Sequence, residues 1–221
     1  MNKRLKSDLN GAALYIAGAG GHGREVAWVS RCVLSAGTPI AFVVDHTDYD
    51  LGALDEGPVV LLSNLNPNPG SKYVSAVGDA VLRRRLSVGM ESLAVSAATI
   101  VHPNALLSSS VVLGDGVVVF PGSILSVNVK VGRHVHINLM CSVSHDVTIG
   151  AFSTLSPGVR VAGNVHIGEG VFIGAGAVVV NGTSISPLVI GDGAVIAAGA
   201  CVTGSVGAGA LMAGVPATRK R

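Results

Sequence analysis

The residues of this chain best suited to proton transfer are a histidine and the aspartate that follows it, His145-Asp146. An imidazole titrates near neutral pH, and a neighbouring carboxylate stabilises the imidazolium that forms when the ring takes a proton. The pair therefore fits a general base for a nucleophile such as an amine or a hydroxyl. The alternative at this stage is an ordinary solvated ion pair at a bend of the chain.

A second candidate site is the segment Gly18-Ala19-Gly20-Gly21-His22-Gly23, which follows the apolar run Leu14–Ala17. It has the spacing G-x-G-x-x-G. A helix is predicted after it, from apolar residues at helical spacing, and then a strand over Ile40–Val44 that ends at Asp45. This order is typical of a nucleotide-binding βαβ unit, in which backbone N–H groups at a helix start approach a phosphate. The helical apolar residues are Val26, Val29 and Val33.

The N-terminal part of the chain, before a repeat that occupies the C-terminal half, is short. It is predicted to continue with a loop over Asn64–Gly70, a strand over Lys72–Val77 that stops at Gly78-Asp79, and a helix over Ala80–Met90. An NAD-dependent dehydrogenase carries the same glycine fingerprint, but about 80 residues suffice for only one mononucleotide-binding half. A sugar nucleotide carries the same pyrophosphate and needs one such half, so it is the better fit.

The C-terminal half of the chain repeats an aliphatic residue at every sixth position. Neither a helix, with apolar spacings of 3 and 4, nor alternating strands use this period. The residue four positions after each aliphatic one is small or β-branched, from Ala105 to Thr183. The fifteen successive members are Val101, Leu107, Leu113, Val119, Leu125, Val131, Ile137, Val143, Ile149, Leu155, Val161, Ile167, Ile173, Val179 and Ile185.

A period of six predicts a triangular coil in which three hexads make one turn and each aliphatic side chain points into a narrow core. The phase slips once: after Ile185 the next members are Ile190, Ile196 and Val202, so a loop is predicted around Ser184–Leu188. His145 and Asp146 do not occupy the core position, which is Val143, and are predicted to lie outward near a corner.

Metal binding is the main competing chemistry for the histidines of the repeat. With 18 residues per coil, no two of His102, His134, His136, His145 and His166 stack, and His145 has Gly163 in the next coil. No metal site is therefore expected. A zinc enzyme of the gamma-class carbonic anhydrase kind stays open, because His134 and His136 could meet His145 or His166 of another subunit.

The composition excludes several classes of protein. The chain has 30 glycines, only 13% charged residues and a net charge of +2, which does not indicate nucleic-acid binding. No run of about 18 apolar residues predicts a membrane helix. The three cysteines have no disulfide or zinc-knuckle spacing, and no signal peptide is evident. A cytoplasmic protein is expected.

The chain resembles the bacterial sugar acetyltransferases of the sialic acid and bacillosamine/perosamine type, which join a small nucleotide-binding domain to a hexapeptide β-helix. The likeness covers nearly the whole chain. It implies an α/β Rossmann-like domain over residues 1–94 and an all-β, left-handed parallel β-helix over residues 95–221. The segments that carry it are Ile16–Gly23, Val44-Asp45, Val77-Gly78, Val143–Gly150, Ser156–Gly168 and Gly214–Ala217.

The resemblance also implies site residues and partners. His145 is the expected catalytic base, Asp146 raises its basicity, and acetyl-CoA is the expected co-substrate, held in a groove between subunits of a homotrimer. Two features depart from the family pattern: Thr154 stands where some relatives have histidine, and Asp79 where asparagine is common. The expected sugar-nucleotide contacts are Gly20, Gly21, His22, Asp45, His46 and Gly78, and the expected acetyl-CoA contacts are Thr154, Gly163, Ala175 and Ala198.

The leading hypothesis is N-acetylation of a nucleotide-linked amino sugar, a UDP-, GDP- or dTDP-4-amino sugar. O-acetylation of a sugar such as sialic acid is a close second, because the same base serves a hydroxyl. The zinc enzyme and a non-catalytic nucleotide-binding or scaffold protein are the hypotheses from other classes.

Overall fold

The structure is a computed structural model that describes residues 12–49 and 53–220. The described residues divide into two compact units, with the boundary after His102. The boundary predicted from the sequence, after residue 94, stays a prediction. Ser96–Ala97 still pairs with the sheet of the first unit, and the coil strands begin at Ile100–Val101.

The first unit is built around one six-stranded sheet. Its strand order is β3-β4-β2-β1-β5-β6, and every pairing is parallel except that of β3 with β4. Two short 3-10 turns lie at Thr47–Tyr49 and Leu62–Asn64. The other elements are β1 (Leu14–Ala17), α1 (Gly21–Arg31), β2 (Ile40–Val44), β3 (Ala53–Leu54), β4 (Gly57–Leu61), β5 (Lys72–Ser75), α2 (Ala80–Ser92) and β6 (Ser96–Ala97).

The centre of this sheet follows from its sequence. All four residues of β1 are buried, as a central parallel strand requires, and Ile16 pairs with Phe42 of β2 and Val74 of β5. One core cluster packs Tyr73 and Val43 of the strands against Leu86 and Met90 of α2. The predicted strands and helices are confirmed with three differences. Helix α1 ends at Arg31, before Val33; the strand predicted over Lys72–Val77 ends at Ser75; and the sequence does not predict β3 and β4.

The second unit winds through three parallel sheets that form the faces of a coil. The five-stranded face contains Val112–Leu113, Lys130–Val131, Thr148–Ile149, Val165–Ile167 and Leu188–Ile190. The six-stranded face contains Leu106–Leu107, Ile124–Leu125, Ser142–Val143, Arg160–Val161, Val178–Val179 and Cys201–Val202. The eight-stranded face begins with Ile100–Val101, at the end of the first unit. Its strands in the second unit are Val118–Val119, His136–Ile137, Thr154–Leu155, Phe172–Ile173, Val195–Ile196, Leu211–Ala213 and Thr218–Arg219, the last of them antiparallel to its neighbour.

The hexad rule for the core is confirmed over most of its length. Successive strands on a face pair 18 residues apart, as with Ser142 and Arg160, and the aliphatic ladder is buried from Val119 to Val179. Each fully buried Ile or Leu contributes about 1.5–3 kcal/mol of transfer free energy, so the ladder is the main apolar contribution to the coil. Its first three members, Val101, Leu107 and Leu113, are only half-buried.

The prediction that Ile185 is the fifteenth member of the buried ladder is wrong. Ile185 is 95% exposed, and Thr183, predicted to occupy the small-residue position, is exposed as well. The ladder passes from Val179 directly to Ile190. The residues between form a closed loop, in which the Thr183 N–H donates to the Ser186 carbonyl at 3.0 Å, and the chain rejoins the coil where the Leu188 N–H donates to the Asn164 carbonyl. The loop predicted around Ser184–Leu188 is therefore confirmed up to Pro187, and Leu188 already belongs to the next strand.

Within the described part of the chain, no helix has both the length and the apolar character needed to cross a bilayer.

Candidate active site

The glycine-rich loop of the first unit is shaped by two close backbone approaches. Gly18 has φ +124°, and a Cβ atom there would lie 2.7 Å from the Ala76 carbonyl oxygen. A Cβ atom at Gly23 would lie 2.2 Å from the Gly18 carbonyl oxygen. The first and third glycines of the motif therefore hold the start of α1 against the ends of β1 and β5.

A cavity of about 360 Å³ opens at this loop. Its walls come from the segments that follow β1, β2 and β5, and Gly20, where α1 begins, has no side-chain cap. The first N–H groups of a helix have no carbonyl within the helix to bond, and they favour an anion at that end. The lining residues are Gly18, Ala19, Gly20, Gly21, His22, Val44, Asp45, Asp48, Ala76, Val77, Gly78, Leu82 and Leu86.

Five of the six residues predicted to contact the nucleotide line this cavity, and His46 does not. The His46 side chain is 62% exposed and lies beside Asp48, 3.3 Å from its carboxylate. The family resemblance alone implies His46 as a contact. A strand end turns successive side chains to opposite sides, so neighbours in sequence need not share a pocket.

His22 is the titratable ring in the cavity wall. Burial lowers the pKa of His22, opposed by its hydrogen-bonded partner Glu25 and supported by the cation of Arg83. The Nδ1 atom of His22 lies 3.2 Å from a Glu25 carboxylate oxygen. A lowered pKa keeps this imidazole neutral at pH 7, so it contributes one N–H donor and one acceptor rather than a charge.

Three side chains of the cavity region have roles that the sequence does not assign. Arg83 is fully buried and donates from Nη1 to the Val77 carbonyl at 2.8 Å, which fixes one wall. Asp45 forms an ion pair with Arg85. Asp79 accepts from the Leu82 N–H at 2.7 Å and so caps α2. An Asp directly before a predicted helix can be recognised from the sequence as an N-cap residue, whereas the contacts of Arg83 and Arg85 depend on how the elements pack.

His145 and Asp146 lie at a corner of the coil in the second unit, in the turn between Ser142–Val143 and Thr148–Ile149. The His145 Nδ1 atom is 2.9 Å from Asp146 Oδ2, and the two side chains are 53% and 49% exposed. The hydrogen bond from His145 is the largest cause, and that from Asn128 the second, of a lowered pKa at the Asp146 carboxyl. The pair is therefore an outward-facing imidazole whose orientation is set by an ionised carboxylate.

The next coil leaves space for the imidazole because it has a glycine there. A Cβ atom at Gly163 would lie 2.5 Å from both Cε1 and Nε2 of His145. The ring thus covers the Gly163 backbone, in agreement with the 18-residue spacing. Any larger residue at 163 would displace the imidazole.

The four residues predicted to contact acetyl-CoA do not all lie at this corner. Gly163 lies against His145, whereas Ala175 and Ala198 are exposed at the turns between the eight-stranded and six-stranded faces, where the Gly199 N–H donates to the Ala175 carbonyl at 2.9 Å. Thr154 is buried on the eight-stranded face, paired with His136 and Phe172. Among the residues that the structure describes, no group of three or more His, Cys, Asp or Glu side chains is placed to hold a metal ion.

Comparison with known proteins agrees with this architecture. The family described as bacterial transferase hexapeptide (six repeats) matches residues 146–181. GDP-perosamine N-acetyltransferase of Escherichia coli O157:H7 is 36% identical over 208 residues, which are 91% of this chain and 93% of that protein.

Two solved structures share the fold over nearly their whole length. PerB from Caulobacter crescentus, in complex with CoA and GDP-perosamine, is 31% identical, covers 95% of this chain and 97% of its own, and has a TM-score of 0.82. The acetyltransferase domain of PglB from Neisseria gonorrhoeae FA1090, in complex with acetyl coenzyme A, is 29% identical, covers 94% and 98%, and has a TM-score of 0.82. The coil is thus a left-handed β-helix, and the chain belongs to the hexapeptide-repeat sugar acetyltransferase family, as an acetyltransferase.

Proposed function

We propose that this protein transfers the acetyl group of acetyl-CoA to the amine of a nucleotide-linked 4-amino sugar. One observation carries the proposal: an outward imidazole held by Asp146 lies over the bare backbone of Gly163. The named activity of the E. coli relative and the CoA, acetyl-CoA and GDP-perosamine of the solved structures support the choice of donor and acceptor.

The first unit would hold the nucleotide as a Rossmann-like half. Its parallel order β4-β2-β1-β5 and a cavity beyond the carboxyl ends of β1, β2 and β5 fit a mononucleotide site. In this proposal the pyrophosphate lies at the start of α1, near Gly20 and Gly21, where helix N–H groups favour an anion. His22, Asp45 and Gly78 complete the contacts, and His46 is left out because it lies outside the cavity.

His145 would serve as the base. With its Nδ1–H donated to Asp146, Nε2 carries the lone pair that accepts a proton. The bound thioester supplies the acetyl group to the attacking sugar amine. His145 Nε2 accepts the proton that the amine nitrogen loses, a backbone N–H holds the developing oxyanion, and the thiolate of CoA leaves with a proton from the imidazolium or from water.

A homotrimer with acetyl-CoA in the groove between subunits fits the surface of the coil. Leu106, Ile124 and Val178 are 66%, 47% and 40% exposed on the same outward row of the six-stranded face, in which Ser142 and Arg160 stand between Ile124 and Val178. Exposed apolar side chains grouped on one surface and mixed with polar ones are found at interfaces between protein subunits. The exposed backbone at Ala175 and Ala198 is our proposed contact for acetyl-CoA, together with Gly163. Thr154 is buried and would contact acetyl-CoA only if its side chain became exposed.

A substrate panel tests the proposal. Purified protein with acetyl-CoA would be offered GDP-, UDP- and dTDP-linked 4-amino sugars and the matching 4-hydroxy sugars, with release of the CoA thiol and the mass of the sugar product as readouts. We expect acetylation of one class of amine and none of its hydroxyl partner. Turnover of hydroxyl sugars alone would make the enzyme an O-acetyltransferase, and activity dependent on added zinc would replace the proposal altogether.

A further inference from the structure

We propose that Asn128 is a positioning residue for the His145-Asp146 pair, acting from the coil below. This inference rests on the proposed role of His145 as a base. The Asn128 Nδ2 atom donates to Asp146 Oδ1 at 3.1 Å, while Asp146 Oδ2 faces His145 Nδ1 at 2.9 Å. Both carboxylate oxygens are therefore engaged, one on each side, and the carboxylate has one orientation in which both hydrogen bonds form.

The backbone around Asn128 is fixed independently of that amide. Its N–H donates to the Ser110 hydroxyl at 2.8 Å, and the Asp146 N–H donates to the Val127 carbonyl at 3.1 Å. Ser110, Asn128 and Asp146 are 18 residues apart, so they stack in successive coils at the same corner. The amide of Asn128 is thus presented to Asp146 by a rigid ladder rather than by a mobile loop.

The chemistry of the donor matters as much as its position. An amide N–H stabilises the carboxylate without adding charge, in agreement with the lowered pKa of Asp146, for which Asn128 is the second cause after His145. A carboxylate at position 128 would face Asp146 as a like charge and could not donate. The geometry requires a neutral donor at this place.

A purely conformational role for Asn128 makes a different prediction. Asn128 has φ +58°, in the left-handed region, where Asn, Asp and Gly are the best-tolerated residues. If the turn were the only requirement, Asn128→Gly and Asn128→Asp would both be accepted. If the amide positions Asp146, both variants lose activity while the coil keeps its stability.

The experiment measures kcat, both KM values and thermal unfolding for Asn128→Gly and Asn128→Asp in the full chain. Orienting partners of a reactive group are typically worth about 10-fold or more in activity, so we expect kcat to fall about 10-fold in both variants, with each KM within about twofold. The matched control is Met140→Gly, which places glycine at another exposed left-handed position, φ +58°, in a turn of a different corner. It should keep kcat.

The pKa of the Asp146 carboxyl gives a second readout that a purely conformational role would not move. The hydrogen bond from Asn128 is one of the causes that lower this pKa, so Asn128→Gly should raise the pKa of Asp146, as measured by NMR titration, whereas Met140→Gly should leave it unchanged. Wild-type kcat in Asn128→Gly, or an unchanged pKa of Asp146 in that variant, overturns the inference. The reference is His145→Ala: if it keeps its activity, the proposed base is wrong, whereas loss of activity there with full activity in Asn128→Gly refutes only the role of Asn128.

Discussion

One candidate site of this protein is built mainly from backbone groups, and the other is built from side chains. The cavity of the first unit is made mainly by backbone, with glycines at close approaches and a helix start that needs no side chain. The corner in the second unit is made by side chains, and its imidazole and carboxylate are each about half exposed. A backbone site suits a ligand whose phosphates are recognised by N–H groups, and a side-chain site suits proton transfer.

This difference predicts how the sites respond to substitution. Changes at the corner should act on kcat, because they disturb the group that we propose accepts a proton. Changes at the cavity should act on the affinity for the nucleotide, because they alter the shape of the cavity that we propose binds it. A corner variant that changed only the nucleotide affinity, or a cavity variant that changed only kcat, would contradict this distinction between the two sites.

Among variants that keep both His145 and Asp146, the largest effect is expected at Gly163. The Cβ atom of Gly163→Ala would lie 2.5 Å from the His145 ring, which must then move by about 1 Å, and a displacement of that size costs about 10²-fold in kcat. Steady-state kinetics with both substrates checks this, and the KM for the sugar nucleotide should stay unchanged. Gly207→Ala is the control, because a Cβ atom there meets nothing within 4 Å. Full activity of Gly163→Ala would contradict the role given to the ring position.

A smaller effect is expected at Gly23, on the other parameter. The Cβ atom of Gly23→Ala would lie 2.2 Å from the Gly18 carbonyl oxygen, a backbone atom that can yield only if the loop opens. We expect affinity for the nucleotide to fall about 10-fold, or about 1.4 kcal/mol, as measured by calorimetry. The kcat at saturating substrate should stay within twofold. Unchanged affinity would show that the loop does not hold the ligand.

The smallest effect is expected at Asp79, which follows the cavity residue Gly78 but does not line the cavity itself. Asp79→Ala removes the cap on the Leu82 N–H and should lower the free energy of unfolding by about 1 kcal/mol, as measured by denaturant titration. Asp79→Ser keeps a capping oxygen and should recover most of that loss. A large fall in kcat with unchanged stability would instead place Asp79 in the sugar site.

The sequence is most informative where a physical rule acts at a fixed spacing. The hexad period identifies the buried ladder, and the 18-residue coil is enough to predict that Gly163 stacks on His145. The same arithmetic assigns Ile185 wrongly to the ladder, because an insertion between Val179 and Ile190 happens to leave an aliphatic residue in phase. The phase slip after Ile185 indicates that a loop interrupts the coil, but the period alone does not show that the loop begins before Ile185.

Contacts between residues without a shared period are beyond such rules. Nothing in the sequence indicates that Arg83 turns to the Val77 carbonyl or that Arg85 pairs with Asp45, because both depend on how α2 packs beside the strands. His46, expected in the site from the family resemblance, lies outside the cavity, because the direction of a side chain after a strand end depends on the local backbone. Asn128 could have been found from the sequence, since it lies 18 residues before Asp146.

The most direct test of the mechanism is the kinetic fate of His145→Ala. General-base catalysis contributes about 10²- to 10⁴-fold, so kcat with acetyl-CoA and the preferred amino-sugar nucleotide should fall by about 10³-fold. The dissociation constant of the sugar nucleotide, measured by calorimetry on the same variant, should stay within twofold. A kcat close to that of the wild type would contradict the central claim that the imidazole at this corner accepts the proton of the amine.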